Sequence, residues 1–424
     1  MQLRSPIVFI LFIALSARIA AAVGLQYVLD SHLHRSFLIE GDANGYWELA
    51  QHLARGDDFA IHHPLRYALR MPGFPTLLAS SMLVFGENFL AARIVLSVVG
   101  TLGVWLVYLL GKELFDRRIG YWAAGFTAVS PLLVGFTPLI LAETSFATAM
   151  LLSLWLGNRL KRSVDSQASV VAILRGSVLT GVALALACMM RPSWILAGPI
   201  FAILMLFFSS GKVRATLAGT VAVASMVGVL LPWGFRNQQV TGHFTLTTFW
   251  MGPSLYDGLN PNATGDSDMR FFDEEALSTK MGEYEVDREY RRRAWEFARQ
   301  QPGKTAQLAW VKSVRFWKPW PNAAQFDRWT LKLVSALFFL PLCFLAGWGG
   351  WALRGQLWSV ALLAGPVLYF CVIHMVFVSS LRYRLPTEYP LAVLASYGLA
   401  RLVSGRRLFD PSDSESDVDV SSGN

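Results

Sequence analysis

The sequence predicts an all-α polytopic membrane protein with about ten transmembrane helices, and three observations lead there. Of its 424 residues 54% are hydrophobic and only 16% charged, where soluble domains carry roughly 25% charged residues, and the mean hydropathy is +0.42. Charge-free runs recur at or near the roughly 20 residues that a helix needs to cross a hydrocarbon core about 30 Å thick. Basic residues gather in the short connections after alternate runs, as the positive-inside rule requires. Disorder demands the opposite composition, and three cysteines in so long a chain form no disulfide framework. The net charge of +8 reads as loop lysines and arginines that orient spans. No nucleic-acid-binding pattern accompanies it, so nucleic acid is not an expected partner.

Taken in order, the long apolar runs are 94–111, 119–142, 192–211, 215–235, 333–353 and 355–381. Shorter ones are 6–29, interrupted by Arg18, then 144–158, 176–190 and 385–400, the last interrupted by Glu388. Lys112, Arg117 and Arg118 follow the second span, Arg159, Lys161, Arg162 and Arg175 the fourth, Lys212 and Arg214 the sixth, Arg354 the eighth, and Arg406 and Arg407 the tenth. With ten spans, all of these fall on one side. This predicts a multi-pass plasma (inner) membrane protein with both termini cytoplasmic. Residues 1–22 also have the plan of a signal peptide. The apolar stretch runs on to Leu29, which favours an uncleaved first span.

The expected organisation is an N-terminal transmembrane module, 1–236, with its first outer loop at 30–89, an outer-face segment at 237–329, and C-terminal transmembrane helices at 330–409. A Ser/Asp-rich tail, 410–424, has the composition of disorder. Short amphipathic helices are expected on the outer face. One follows Asp42, with Tyr46, Leu49, Ala50 and Leu53 on one side and Tyr46 and Trp47 at headgroup level. By spacing alone Asp42 reads as its N-cap. A charged helix is expected over 283–301, with Asp287–Arg291 and Glu289–Arg293 pairs. Lys312, Arg315, Trp317, Lys318 and Trp320 suit a headgroup belt before span eight. His374 reads as a packed polar residue, and no metal-ligand histidine spacing, Walker A or GxSxG pattern is present.

Charges at membrane depth are functional candidates by default. Arg18, Glu143, Arg191 and Glu388 qualify, and Arg382 and Arg384 precede the last span. Each alone reads as a snorkelling side chain. Together, most of them fall at the outer face, beside the long loops. Arg70, in Arg70-Met71-Pro72-Gly73-Phe74-Pro75, opens a rigid turn and faces either a phosphate or lipid headgroups.

These segments carry a resemblance. Gly41-Asp42-Ala43 with Tyr46, the Arg70–Pro75 turn, Leu141-Ala142-Glu143-Thr144, Pro232-Trp233 with Arg236-Asn237, Asn260-Pro261 through Gly265, Pro302-Gly303 with Lys312 and Phe316-Trp317, and Arg382-Tyr383-Arg384-Leu385-Pro386 occur in order along the chain. They are similar to the motifs of the polytopic GT-C glycosyltransferases. In particular they resemble those of the bacterial members like the protein mannosyltransferases and the aminoarabinose transferase of lipid A (glycosyltransferase family 39).

The resemblance implies a GT-C-type fold and transfer of a hexosyl or pentosyl unit from a polyprenyl-phosphate donor to a glycan, lipid or protein acceptor on the outer face. It makes Asp42 the base that takes the acceptor proton, with Glu40 supporting it or binding sugar. Glu143 orients the acceptor or binds a cation. A divalent cation is the one cofactor the pattern leaves open, and no metal ligand is assigned. The phosphate calls for guanidinium groups, and the candidates are Arg70, Arg191, Arg236, Arg382 and Arg384. Tyr46 and Tyr383 complete the substrate-binding set. Arg382 and Arg384 flank Tyr383 and point differently, so one of the two is expected to face the site. Attack opposite the leaving phosphate inverts the anomeric centre, by analogy with inverting glycosidases. The competing readings are a transporter or lipid flippase, which predicts polar groups at mid-membrane, and a non-catalytic scaffold.

Overall fold

The computed structural model describes residues 6–321 and 328–404. The expected tail at 410–424 and the basic pair Arg406–Arg407 lie outside them. Among the described residues there is no β-strand, and one isolated antiparallel bridge joins Ile61 and Arg66. The helices are α1 (Pro6–Val28), α2 (Glu40–Arg55), α3 (Gly73–Phe85), α4 (Phe89–Leu114), α5 (Arg117–Val129), α6 (Pro131–Phe136), α7 (Glu143–Asp165), α8 (Val170–Met190), α9 (Ala197–Phe208) and α10 (Lys212–Thr241). They continue with α11 (Met251–Gly258), α12 (Arg270–Glu275), α13 (Glu283–Gln300), α14 (Pro302–Trp317), α15 (Trp329–Ala352), α16 (Leu357–Val376) and α17 (Leu381–Ser404). The all-α class is borne out.

Among the described residues, six helical segments are long and apolar enough to cross a membrane: Pro6–Leu33, Phe89–Leu114, Val170–Met190, Lys212–Thr241, Trp329–Ala352 and Leu357–Val376. The protein is a multi-pass membrane protein. The figure of ten spans is not established by length and composition. The run 119–142 is not one helix: Ser130 leaves helical geometry before Pro131, so it divides into α5, α6 and a turn. The run 192–211 opens with a 3₁₀ turn, and α9 is only 12 residues long. α7 and α17 have 23 and 24 residues but carry charge. Charged groups inside them are buried beside partners in the protein, as Arg384 is beside Glu388 and Glu143 beside Arg382.

Successive long helices run antiparallel, so their ends sort into two layers. At one end Arg162 donates to the Glu113 carbonyl, Ser210 N–H to Asp165 Oδ1 at 3.0 Å, and Trp358 Nε1 to Asn158 Oδ1 at 3.0 Å. Here lie the basic connections read from the sequence. The other end holds α2, α3 and α11–α14 and is called the loop end below. α17 packs against α4, α5, α7, α14, α15 and α16, so its first turn reaches the loop end from the centre of the bundle.

Close approach depends on glycine where backbones touch. A Cβ at Gly398 of α17 would fall on the Leu345 carbonyl of α15, and one at Gly349 on the Leu394 carbonyl. Arg18, the charge inside the first span, is fully buried. It donates to the Ala14, Thr127 and Ala128 carbonyls at 3.1–3.3 Å. It thus caps the last turn of α5, where carbonyls lack helical partners and a cation is favoured.

The α15–α17 crossing predicts that Gly398→Leu costs about 1–3 kcal/mol by overpacking. Thermal unfolding in detergent should show a lowered midpoint for it. Gly347→Leu, where a Cβ meets nothing within 4 Å, should leave the midpoint unchanged.

Candidate functional site

α2 begins at Glu40, with Ile39 at the cap position and no side-chain cap. Asp42 is therefore not the N-cap that its spacing suggested. It lies in the first helical turn, where the free N–H groups and the helix dipole favour a carboxylate. Trp47 does not sit at headgroup level. It is buried against Phe37 and Phe89, whereas Asp42 shares a different side of α2 with Gly45 and Tyr46, three and four residues on.

Four further elements bring their charges to Asp42. The turn before α3 supplies Arg70, whose Nη2 donates to Asp42 Oδ1 at 2.7 Å. The Arg70 guanidinium rests 4.5 Å above the Tyr46 ring, and Tyr46 packs edge-on against Phe74. Gly45 leaves space for Arg70: a Cβ there would lie 3.4 Å from its Nε. Gly73 does the same for the turn, since a Cβ would press on the Met189 backbone of α8 at 2.8 Å. α17 supplies Arg382, whose Nη2 donates to Asp42 Oδ2 at 2.5 Å. Its Nε stands 2.8 Å from Glu143 Oε1 at the start of α7. Arg191, just past α8, reaches Glu143 Oε1 at 3.8 Å and lies 5.0 Å over the Tyr383 ring. Tyr383 in turn stacks on His374, with ring centroids 4.2 Å apart.

Asp42, Tyr46, Arg70, Glu143, Arg191, Arg382 and Tyr383 thus form one cluster at the loop end. Three guanidiniums against two carboxylates leave one positive charge in excess. Arg70 Nε, Arg191 Nη1, Arg382 Nε and Glu143 Oε2 are buried without a hydrogen-bond partner. So many unpaired polar atoms in one place are uncommon in a folded protein. Burial alone would raise the Asp42 carboxyl. Arg382 and Arg70 outweigh it and hold the group well below the usual carboxylate range. Among the described residues no group of three or more His, Cys, Asp or Glu side chains is placed to hold a metal ion. Asp42 and Glu143 are bridged by Arg382.

The remaining three candidates stand elsewhere. Glu40 is exposed. Arg236 donates to the Phe59 and Tyr67 carbonyls at 2.7 and 2.5 Å and so ties α10 to the strap between α2 and α3. Arg384 is fully buried on the other side of α17. It donates to Glu388 at 3.0 Å and to the Phe316 and Lys318 carbonyls at 2.7 and 2.8 Å, closing the C-terminus of α14. Two residues apart on a helix, Arg382 and Arg384 cannot share a face.

Sequence reasoning missed the groups that hold the turn before Arg382. Lys312 Nζ donates to the Val376 carbonyl at 2.7 Å, Arg315 Nε to the Ser379 carbonyl at 3.3 Å, and the Ser379 N–H to the Gly265 carbonyl at 3.3 Å. The His374 ring bonds the Val378 carbonyl at 2.7 Å. Lys312 is buried, not part of a headgroup belt, and burial brings its pKa down to about 8, against a weaker upward pull from Asp257. The lowered value means the charged amine destabilises the fold. Stability should therefore rise as pH goes from about 8 towards the unfolded-state value. A comparison of unfolding midpoints at pH 7 and pH 10 should show this rise in wild type and its loss in Lys312→Met.

With this geometry in view, comparison with known proteins is informative. The family described as dolichyl-phosphate-mannose-protein mannosyltransferase matches residues 62–233, a segment that includes Arg70, Glu143 and Arg191. The undecaprenyl phosphate-alpha-4-amino-4-deoxy-L-arabinose arabinosyl transferase 1 of Pseudomonas fluorescens is 26% identical over 243 residues, 54% of this chain and 41% of that protein. Among solved structures, the oligosaccharyltransferase AglB of Archaeoglobus fulgidus with an inhibitory peptide and a dolichol-phosphate superposes with a TM-score of 0.56. It is 16% identical, over 93% of this chain and 52% of that one. The apo form gives a TM-score of 0.54 at 16% identity, over 94% and 53%. The chain thus spans about two fifths of the curated relative and about half of the solved ones. The likeness to the GT-C glycosyltransferases read from the motifs is borne out, by the fold of the bundle and by the mannosyltransferase-family match across residues 62–233.

Proposed function

We propose that the chain is an integral membrane glycosyltransferase. It moves a hexosyl or pentosyl unit from a polyprenyl-phosphate donor to a glycan, lipid or protein acceptor at the outer face of the plasma (inner) membrane. The observation that carries this is the cluster of Asp42 and Glu143 with Arg70, Arg191 and Arg382, one positive charge in excess and with guanidinium N–H groups unspent. The basic connections at the opposite end of the bundle support an outward-facing site and cytoplasmic termini.

In this reading the donor phosphate binds Arg191, Arg382 and Arg70, whose planar forks suit it. Any guanidinium hydrogen bond drawn from Asp42 to phosphate removes what holds the carboxylate acidic, so its proton affinity rises as the donor arrives. The acceptor hydroxyl oxygen then forms a bond to the anomeric carbon, and its proton passes to Asp42. The bond from that carbon to the phosphate oxygen breaks, and the electron pair leaves on the phosphate, where the arginines stabilise it. Attack from the face opposite the phosphate inverts the anomeric centre. Transport has less support: the embedded charges gather at one end, and Arg18, the charge within a span, is spent on backbone carbonyls.

Asp42→Asn should insert and melt as a folded protein yet transfer sugar at least about 10²-fold more slowly, as read by chromatography of products from membranes supplied with a radiolabelled polyprenyl-phosphate sugar. Near-wild-type transfer by this variant removes Asp42 from the base role. Arg191→Gln should raise the donor KM about tenfold or more, the size of a lost charge-assisted hydrogen bond, with a smaller effect on kcat. An unchanged donor KM removes Arg191 from phosphate binding.

A further inference from the structure

Between the strap after α2 and the segment from α11 to α13 lies an open-mouthed pocket with a cavity volume of about 90 Å³. It is lined by outer-loop residues alone, with none from a candidate span. Phe249, Trp250 and Phe272 form aromatic walls, and Arg66 projects between two of them. Its guanidinium carbon lies 4.5 Å from the Phe272 ring centroid and 5.4 Å from that of Trp250.

Arg66 is poorly spent. Among the described residues its one side-chain hydrogen bond is a long contact to Ser278 Oγ at 3.4 Å. Glu283, the acidic group of the pocket, is occupied otherwise: its oxygens accept the Tyr67 and Ala68 N–H groups at 2.9–3.1 Å. The aromatic walls orient a planar cation without neutralising it. A fork of unused N–H donors between aromatic faces suits a ligand with a flat apolar surface to stack and an anionic group to be gripped.

The pocket adjoins the charged cluster. Arg66 and Arg70 sit on one strap, four residues apart, so their Cα atoms are at most about 14 Å from one another. The strap is fixed from both sides, by Glu283 on the Tyr67 and Ala68 N–H groups, by Arg236 on the Tyr67 carbonyl, and by the Phe249 N–H on the Ala68 carbonyl at 2.9 Å.

We infer that this pocket binds a sugar unit bearing a phosphate or carboxylate group, as the recognition element of the acceptor, with Arg66 gripping the anion and Trp250 and Phe272 stacking on the ring. The acceptor role rests on the glycosyltransferase reading above. A pocket made wholly of loop residues is served from the aqueous layer, whereas a lipid-linked donor is served from the bilayer.

The test uses the full chain in lipid nanodiscs, with glucose 6-phosphate, glucuronate, glucose and inorganic phosphate as probes in saturation-transfer NMR titrations. Glucose 6-phosphate or glucuronate should bind about tenfold more tightly than glucose and than inorganic phosphate, and the tighter of the two identifies the anion. Arg66→Gln should abolish that advantage. Met281→Trp, which fills the mouth of the pocket without altering Arg66, should weaken both acidic sugars. Undecaprenyl phosphate binding, measured in parallel, should be unchanged in both variants and confirms that they are folded. Equal binding of glucose and the acidic sugars, binding of inorganic phosphate as tight as theirs, or acidic-sugar binding indifferent to both substitutions overturns the inference. Absence of undecaprenyl phosphate binding in wild type instead counts against the glycosyltransferase reading, while an Arg66-dependent sugar titration still establishes the pocket.

Discussion

The arrangement turns on Arg382. One guanidinium touches Asp42 from the first third of the chain and Glu143 from the start of α7, and it is carried there by the last helix, 340 residues after Asp42. Taking charges out of water is costly unless they are paired with good geometry. Asp42 and Glu143 meet that requirement through Arg382, helped by Arg70 on Asp42 and Arg191 on Glu143. The Asp42 and Arg382 side chains are only part-buried, so each pair contributes less than a fully buried one would, but the ion cluster ties α2, α7 and α17 together while also forming the site.

The same packing leaves the cluster incompletely satisfied. Arg70 and Arg382 occupy both oxygens of Asp42, yet Arg70 Nε has no hydrogen-bond partner, and Arg382 Nε and Arg191 Nη1 meet Glu143 as ion pairs without hydrogen-bond geometry. A structural ion network usually pairs its donors fully, because an unmade hydrogen bond in a low-dielectric setting is expensive. A site that must receive an anion keeps some of them free. Around it, other polar groups hold backbone: Arg384 the end of α14, Arg236 the strap, and Lys312, Arg315 and His374 the turn ahead of Arg382.

Much of this was legible in the sequence. The charge depletion and apolar runs fixed the class, and the ordered motifs singled out Asp42, Arg70, Glu143 and the Arg382–Arg384 pair. The count of spans was not legible. An apolar run such as 119–142 reads the same whether or not Pro131 divides it, while α7 and α17 bury charges that a hydropathy pattern penalises. Lys312 looked like one more basic residue near aromatics. Nothing local marks a lysine whose acceptor is the Val376 carbonyl, 64 residues away.

The sequence by itself determined membrane embedding, the helical class and the chemistry available at one face, because these follow from composition, periodicity and residue type. Only the tertiary structure decided which arginines meet the carboxylates. Helix phase puts Arg382 and Arg384 on different sides of α17, and long-range packing gives Arg236 to backbone carbonyls rather than to the cluster. It also decided that Asp42 belongs to a helix already begun at Glu40, and that Arg66 stands nearly unpaired between aromatic rings. Both depend on contacts between segments far apart in the chain, which no local pattern records.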